Sequence, residues 1–166
     1  EILAEFAAHE QKMDNSSYNI AKIRYLEPYK VNIKRILDFG GANGAIAGAM
    51  ASEYKVPVDV VDVHDGKSFL NLPMTKYIKS SGKLVLHDYY SIITCFMVLH
   101  HVPPEDLDQI AKQLIEHLDQ DGYLIIQEHD CNHPILHALI DIQHLMYMFV
   151  WKDEDYDQRS SATYEA

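Results

Sequence analysis

The stretch RILDFGGANGAIAGAM, residues 35–50, predicts the fold of this chain. Residues 35–39 form a short, mostly apolar run that is typical of a buried strand and that contains one aspartate, Asp38. Gly40, Gly41 and Gly44 follow, and glycine allows the sharp turn that the chain needs there. The alanine-rich residues 44–54 predict a helix that packs closely on a sheet. Strand, glycine turn and helix together form the first part of a βαβ unit.

The rest of the chain repeats this alternation of strands and helices. Further strands are predicted at residues 56–63, at 77–79 or 83–87, at 91–98 and at 123–127. Helices are predicted at residues 1–14, at about 17–26 with a stop at Glu27-Pro28, from Pro103 to a stop at Asp121-Gly122, and at 135–151. The pattern predicts an α/β fold with a doubly wound, mostly parallel sheet and helices on both faces. Ligands bind such sheets at the carboxyl ends of the strands, where the glycine turn lies.

Length and composition limit the possible classes of protein. The 166 residues suit one domain, with an N-terminal helical segment at 1–34, a core at 35–130, and a C-terminal helix and acidic tail at 131–166. Two cysteines are too few for a disulfide framework and predict a reducing, cytoplasmic compartment. Apolar runs are too short to span a membrane, so we expect no membrane partner. The first residue is Glu, which suggests a processed product or part of a larger polypeptide.

The formal net charge of −11 argues against nonspecific nucleic-acid binding through overall charge. The charge is unevenly distributed, however. Basic residues cluster before the glycine turn, at Lys22, Arg24, Lys30, Lys34 and Arg35. This cluster is either a solvated surface or a binding patch.

Two classes of adenosine ligand use a glycine turn in this kind of fold. A dinucleotide requires the pattern G-x-G-x-x-G, and the sequence has Ala42 and Ala45 where the second and third glycines should be. The other pattern is D-x-G-x-G-x-G, which Asp38, Gly40, Ala42 and Gly44 match with one glycine-to-alanine change. In this respect the stretch resembles the first motif of S-adenosylmethionine-dependent methyltransferases, and a nicotinamide-dependent enzyme is disfavoured.

An acidic residue should close the second strand and bind the two ribose hydroxyls of either ligand. VPVDVVDVHD supplies Asp62 about twenty residues after the turn, the separation that such sites use, with Asp65 as the alternative. The other interpretation of Asp62 is a solvated loop carboxylate. We favour ribose because Asp62 closes an apolar strand.

The segment YYSIITCFMVLHHVPPEDLDQIAKQL, followed by LDQDGYLIIQEHD, resembles the fourth-strand and fifth-strand regions of class I methyltransferases, which have a Rossmann-like sheet. The resemblance covers residues 35–130 and implies S-adenosylmethionine as cofactor. By this resemblance the cofactor-binding residues are Asp38, Gly40, Gly41, Ala42, Gly44, Asp62, Val63, His64, Cys95 and Phe96, the last two through their backbone groups.

The sequence departs from the family pattern at several places. The usual acidic residue at the start of the fourth strand is absent unless Asp88 replaces it. The residue that contacts adenine from the third strand is not evident, with Ser80, Ser81 and Asp88 as candidates. The last two of the usual seven strands have no counterpart in the sequence pattern.

The predicted acceptor-facing residues are His100, Glu128 and His129, which follow the fourth and fifth strands. The Lys-Asp-Lys-Glu set of ribose 2′-hydroxyl methyltransferases is missing, whereas guanine N7 needs no base. QEHDC at residues 127–131 and the following helix are similar to viral methyltransferases of mRNA capping. This similarity makes a capped RNA 5′ end the leading acceptor, in host cytoplasm. The alternatives are a small-molecule methyltransferase and a non-catalytic subunit that activates a protein partner.

A metal site is the less favoured interpretation of the remaining histidines. His129, Cys131 and His133 are close in sequence, and His137, Asp141 and His144 share one helix face. Because no complete zinc motif is present, we expect no metal.

Overall fold

The computed structural model describes residues 17–64, 66–67, 69–80, 84–129 and 134–151. The helix that the sequence predicts at residues 1–14, and the residues Asp65 and Ser81, lie outside the described ranges.

The described residues form a five-stranded sheet in which every neighbouring pair of strands is parallel. The strands are β1 (Ile36–Phe39), β2 (Val58–Asp62), β3 (Thr75–Lys79), β4 (Tyr90–Phe96) and β5 (Leu118–Gln127), in the order β3-β2-β1-β4-β5. Every residue of β1, β2 and β4 is buried, as continuous apolar runs predict for inner strands of a parallel sheet. The chain builds outward from β1 in one direction and from β4 in the other. The crevice between β1 and β4 is therefore the topological switch point.

Helices cover both faces of this sheet, which confirms the doubly wound arrangement. They are α1 (Ser17–Ile23), α2 (Ala45–Tyr54), α3 (Pro104–Glu116) and α4 (Pro134–Trp151). On one face, residues of α1 and α2 such as Ile23, Ala47 and Met50 pack against Val60 and Ile92. On the other face, Leu114 of α3 packs with Leu37, Val61 and Ile93. Alternate residues of each strand thus serve two separate apolar clusters.

The N-terminal region differs from its prediction. The helix ends at Ile23, and a 3-10 helix, Arg24–Asn32, continues through Pro28, where the sequence predicts a stop. The 3-10 segment is held by Leu26, which is fully buried, while Tyr54 Oη donates a hydrogen bond to the carbonyl of Ile23 at 3.0 Å. Tertiary packing therefore determines the path of the backbone through the 3-10 helix.

The segment between α3 and β5 also corrects the prediction. The helix ends at Glu116, and β5 already begins at Leu118, so Asp121-Gly122 does not stop the helix. Gly122 lies within β5 at an irregularity of its pairing with β4, where an added Cβ would meet the Tyr90 carbonyl oxygen at 3.0 Å. Glycine inside a strand commonly marks such a bulge.

Each predicted strand is present in the structure, but its bounds differ from the prediction. Of the two alternatives for the third strand, the structure has Thr75–Lys79, and residues 84–87 form no strand. β4 ends at Phe96 because Met97 adopts a left-handed φ of 59°.

A charged network lies at the amino edge of the sheet, opposite the glycine turn. Asp59 of β2, 1% exposed, accepts hydrogen bonds from Arg35 Nε at 3.1 Å, from an Arg35 terminal nitrogen at 2.8 Å and from Tyr90 Oη at 2.9 Å. Asp88 also contacts the Arg35 guanidinium, at 3.1 Å. Burial and the neighbouring Asp59 carboxylate raise the pKa of Tyr90, which keeps its hydroxyl a donor.

Candidate functional site

The turn after β1 depends on its glycines for close packing as well as for backbone freedom. Gly40 and Gly44 have left-handed φ values of 74° and 79°. A Cβ at Gly40 would collide with Val98, and one at Gly44 with Phe69. A Cβ at Gly41 would lie 2.6 Å from Oδ2 of Asp38. The space that glycine leaves at these Cβ positions is thus occupied by the protein's own side chains.

Ala42, the residue that replaces a motif glycine, still adopts a left-handed backbone with φ of 46°. Its N–H donates a hydrogen bond to Oδ2 of Asp62 at 2.9 Å. This bond to a carboxylate offsets the strain of an alanine in that conformation. The turn therefore keeps its shape despite the substitution.

Asp62 closes β2 beside this turn and is 8% exposed. Its Oδ1 accepts the N–H of His64 at 3.1 Å and lies 2.6 Å from Nδ1 of the His64 ring. Val63, between them, is 68% exposed. The structure thus brings Asp62, His64 and Ala42 together at one edge, as predicted, and excludes the interpretation of Asp62 as a solvated loop carboxylate.

Asp38 lies in β1 beneath the turn and is 1% exposed. Its Oδ1 accepts a hydrogen bond from Thr94 Oγ1 at 2.8 Å, and Asp38 and Thr94 are direct partners in the β1–β4 register. Its Oδ2 is buried and has no hydrogen-bond partner among the described residues. Burial, with the nearby Asp62 carboxylate, raises the pKa of Asp38 to about 7, against the opposing effects of Thr94 and Lys22. Such an acceptor suits a cationic ligand group.

Asp38→Asn is expected to stabilise the protein more at pH 8 than at pH 5. The folded-state pKa of Asp38 is raised to about 7, so the stability that it contributes is fully present below the unfolded pKa of about 3.9 and is lost as pH rises toward 7. The stability difference, variant minus wild type, should grow by about 2–3 kcal/mol between these pH values. Urea unfolding at both pH values measures it. Asp108→Asn, at an exposed position on α3, should show no growth, and the same behaviour for Asp38→Asn would contradict the raised pKa.

Glu128 follows β5 and holds the loop after β4. Its Oε1 accepts the N–H groups of Val98 at 2.9 Å and Leu99 at 2.6 Å, and its Oε2 lies 2.6 Å from Nδ1 of His100. Burial would raise the pKa of Glu128, but these hydrogen bonds outweigh it and the net pKa is lowered. Glu128 is therefore an ionised positioning group for His100.

Three histidine rings lie together beyond β4 and β5. The His100 ring centroid is 3.9 Å from that of His101 and 5.0 Å from that of His129. His100 is buried, His129 is half-buried and His101 is exposed, so the cluster extends from the interior to the surface. The structure thus brings His100, Glu128 and His129 together, and their catalytic role stays a prediction.

Cys95 and Phe96 end β4 on opposite faces of the sheet. Cys95 is fully buried among Leu37, Phe39 and Ile93, and burial raises the pKa of its thiol to about 12. Because its side chain is buried, Cys95 could contact a ligand only through its backbone.

Two contributing side chains, Thr94 and Phe69, were missed from the sequence, and Lys22 was named only as a member of the basic cluster before the turn. Of these, Thr94 could have been recognised from the sequence, since its hydroxyl lies inside the apolar strand SIITCF. Phe69 packs on Gly44, and its ring centroid is 5.2 Å from that of Tyr77.

The candidates for contact with adenine are separated by the structure. The N–H of Ser80, directly after β3, donates to the carbonyl of Asp62 at 2.8 Å, which places Ser80 at the glycine-turn edge. Asp88 pairs with Arg35 at the opposite edge, so its interpretation as an adenine contact was wrong.

Metal-ligand residues do not converge within the described ranges, where no group of three such side chains could hold an ion. Cys131 and His133 lie outside those ranges. His137 and Asp141 form an i,i+4 contact of 3.7 Å on α4.

The parallel sheet, its glycine turn at the switch point and the acidic residue closing the neighbouring strand form the arrangement at which α/β domains bind adenosine ligands. Comparison with known protein families identifies the family of this domain. Residues 8–158 match the family described as a methyltransferase domain, and the chain belongs to that family. Comparison with curated proteins gives no match.

Solved structures of methyltransferases share this fold. Coclaurine N-methyltransferase bound to N-methylheliamine and S-adenosylhomocysteine has a TM-score of 0.55 at 19% identity, covering 66% of this chain and 35% of that one. An amino pentose methyltransferase from Micromonospora echinaspora, bound to S-adenosylmethionine, has a TM-score of 0.59 at 13% identity, covering 74% and 56%. The plantazolicin methyltransferase has a TM-score of 0.56 at 13% identity, covering 86% and 54%. The chain therefore spans about a third to just over half of these proteins.

None of the helices in the described part of the chain combines the length and apolar character needed to cross a membrane.

Proposed function

We propose that this domain binds S-adenosylmethionine at the glycine turn and transfers its methyl group. The observation that carries the proposal is the Asp62 carboxylate, which closes β2 and holds the turn through Ala42. Membership of the methyltransferase domain family supports it. Solved methyltransferases of the same fold that contain bound S-adenosylhomocysteine or S-adenosylmethionine support it as well.

The residues present fit this cofactor group by group. Asp62 would accept hydrogen bonds from the ribose hydroxyls, and the exposed Val63 and His64 beside it would border the adenine. Oδ2 of Asp38, buried without a donor among the described residues, suits the cofactor's ammonium group. Backbone groups of Cys95 and Phe96 end the neighbouring strand, and Gly40–Gly44 would surround the methionine end.

The bound cofactor supplies an electrophilic methyl group on a sulfonium, so the protein mainly aligns the acceptor and excludes water. A base is needed where the acceptor must lose a proton. Nδ1 of His100 lies 2.6 Å from the Glu128 carboxylate. In the tautomer in which Nδ1–H donates to that carboxylate, Nε2 carries the lone pair. The pair of His100 and Glu128 can therefore accept a proton from an amine or hydroxyl.

The acceptor that this geometry favours is an amine or phenol of a small molecule or peptide. Of the five basic residues that cluster before the glycine turn, three are engaged within the protein. Lys22 is buried, Arg35 pairs with Asp59 and Asp88, and Lys30 pairs with Glu27 at 3.0 Å. The segment thus offers little positive surface to offset a net charge of −11.

Capped RNA, with guanine N7 as the methylated atom, is the second candidate acceptor. Its support is the similarity of residues 127–131 and the following helix to viral capping enzymes. The His100–Glu128 pair is not needed for that atom, because a heterocyclic nitrogen already has a free lone pair.

Transfer of a labelled methyl group from S-adenosylmethionine separates the candidates. The acceptors are a panel of small amines and phenols, RNA with an unmethylated guanosine cap, RNA methylated at N7, and uncapped RNA. We expect label on a small amine or phenol, reduced about 100-fold by His100→Ala and unchanged by His87→Ala, an exposed control. Label on the unmethylated cap alone would support guanine N7, and label on both capped RNAs a ribose hydroxyl. Cofactor binding without transfer would support a non-catalytic partner subunit, and absent binding would overturn the proposal.

A further inference from the structure

Lys22 is the one lysine or arginine that is buried in the described part of the chain, with 3% of its surface exposed. Lysine is rarely buried to this extent unless its charge is paired, because the ammonium loses its hydration. Lys22 comes from α1, outside the sheet, yet its Nζ reaches the carboxyl ends of two strands. It lies 5.0 Å from the ring centroid of Phe96, which ends β4, and donates a hydrogen bond to Oε1 of Gln127, which ends β5.

The charges around Lys22 belong to the candidate site. Burial lowers the pKa of Lys22 and outweighs the carboxylates of Glu128 and Asp38, which act in the opposite direction and favour the cation. The Lys22 side chain is therefore within electrostatic range of Asp38 beneath the glycine turn and of Glu128 in the loop after β5. It is the buried positive charge in a site whose other buried ionisable groups include Asp38 and Asp62.

The amino-acid end of S-adenosylmethionine carries an ammonium and a carboxylate. Asp38 and Asp62 would repel the carboxylate, so this end needs a cation in the site. We propose that the Lys22 ammonium binds the cofactor's carboxylate and selects for ligands that carry it. This inference rests on the proposed function. A lysine ammonium has three donors, so Lys22 can keep Gln127 and still form a charge-assisted hydrogen bond to the carboxylate.

The test compares two ligands that differ by this one group, S-adenosylmethionine and its decarboxylated form, by calorimetry. Wild type should bind S-adenosylmethionine about 10- to 100-fold more tightly, since a hydrogen bond between charged groups has that effect. Lys22→Met, which keeps the length of the side chain, should remove this preference by weakening the first ligand alone. Lys112→Met, at an exposed position on α3, should keep it.

The outcomes distinguish this inference from the proposed function. Equal affinity of wild type for both ligands would overturn the role of Lys22 even if the Lys22→Met protein does not fold. An equal loss for both ligands in folded Lys22→Met, with folding checked by circular dichroism, would show a structural role instead. Binding of neither ligand to wild type would overturn the proposed function itself.

Discussion

Replacing Asp62 with alanine is expected to weaken S-adenosylmethionine binding by about 100-fold or more. The proposed cofactor would lose two hydrogen bonds from ribose hydroxyls to a carboxylate, each worth about 1.5–3 kcal/mol. The turn would also lose the carboxylate that accepts the N–H of Ala42 at 2.9 Å and holds its left-handed backbone. Calorimetric titration of the variant and wild type measures the effect.

Two further variants separate the ribose contacts from the shape of the turn. Asp62→Asn retains an oxygen for one backbone N–H and should lose less affinity than the alanine variant. Asp108→Ala, on the exposed side of α3, should bind as wild type does. Unchanged affinity in a folded Asp62→Ala protein would show that the ribose assignment is wrong.

Asp59→Ala is expected to lower the free energy of unfolding by about 3 kcal/mol without any direct effect on the site. The substitution leaves the buried Tyr90 hydroxyl without its acceptor, and Arg35 loses the partner that both of its donating nitrogens share. An unsatisfied buried donor costs about 1–3 kcal/mol. The loss of the charge-assisted hydrogen bonds from Arg35 to Asp59 adds to this, although Arg35 keeps its contact with Asp88. Urea denaturation at neutral pH provides the measurement.

Asp88 provides a matched control on the same guanidinium. Its side chain is 47% exposed and lies 3.1 Å from Arg35, so Asp88→Ala should cost less than about 1 kcal/mol, as surface ion pairs do. The stability cost of Tyr90→Phe should lie between those of Asp59→Ala and Asp88→Ala. If Asp59→Ala and Asp88→Ala prove equally mild, the network does not stabilise the fold as argued.

The order of elements could be predicted because each depends on local sequence. The apolar runs of β1, β2 and β4 are buried on both faces and have no polar alternation to confuse them with surface strands. Element ends were predicted less well. The extent of β5 depends on its pairing with β4 and on a bulge near Gly122, and neither leaves a local pattern in LDQDGYLIIQ.

The residues of the candidate site were likewise only partly predictable from the sequence. Asp38 and Asp62 were predictable because each follows an apolar run at the edge where ligands bind. The contacts of Thr94 and Lys22 at the site were not predictable, since they join positions that are 56 and 105 residues apart in the chain. Glu128 was predicted at the site, but its hydrogen bonds to the loop after β4 depend on two strand ends meeting.

The sequence by itself determined the class of fold, the glycine turn and the acidic residues at the ends of β1 and β2, because these follow from apolar periodicity and the conformational freedom of glycine. Tertiary structure alone decided the state of those residues. Burial raises the pKa of Asp38 to about 7, Glu128 is held ionised by donors from another loop, and a lysine from α1 enters the same site. Desolvation and charge interactions depend on which groups come together in space, and spacing along the chain does not encode them.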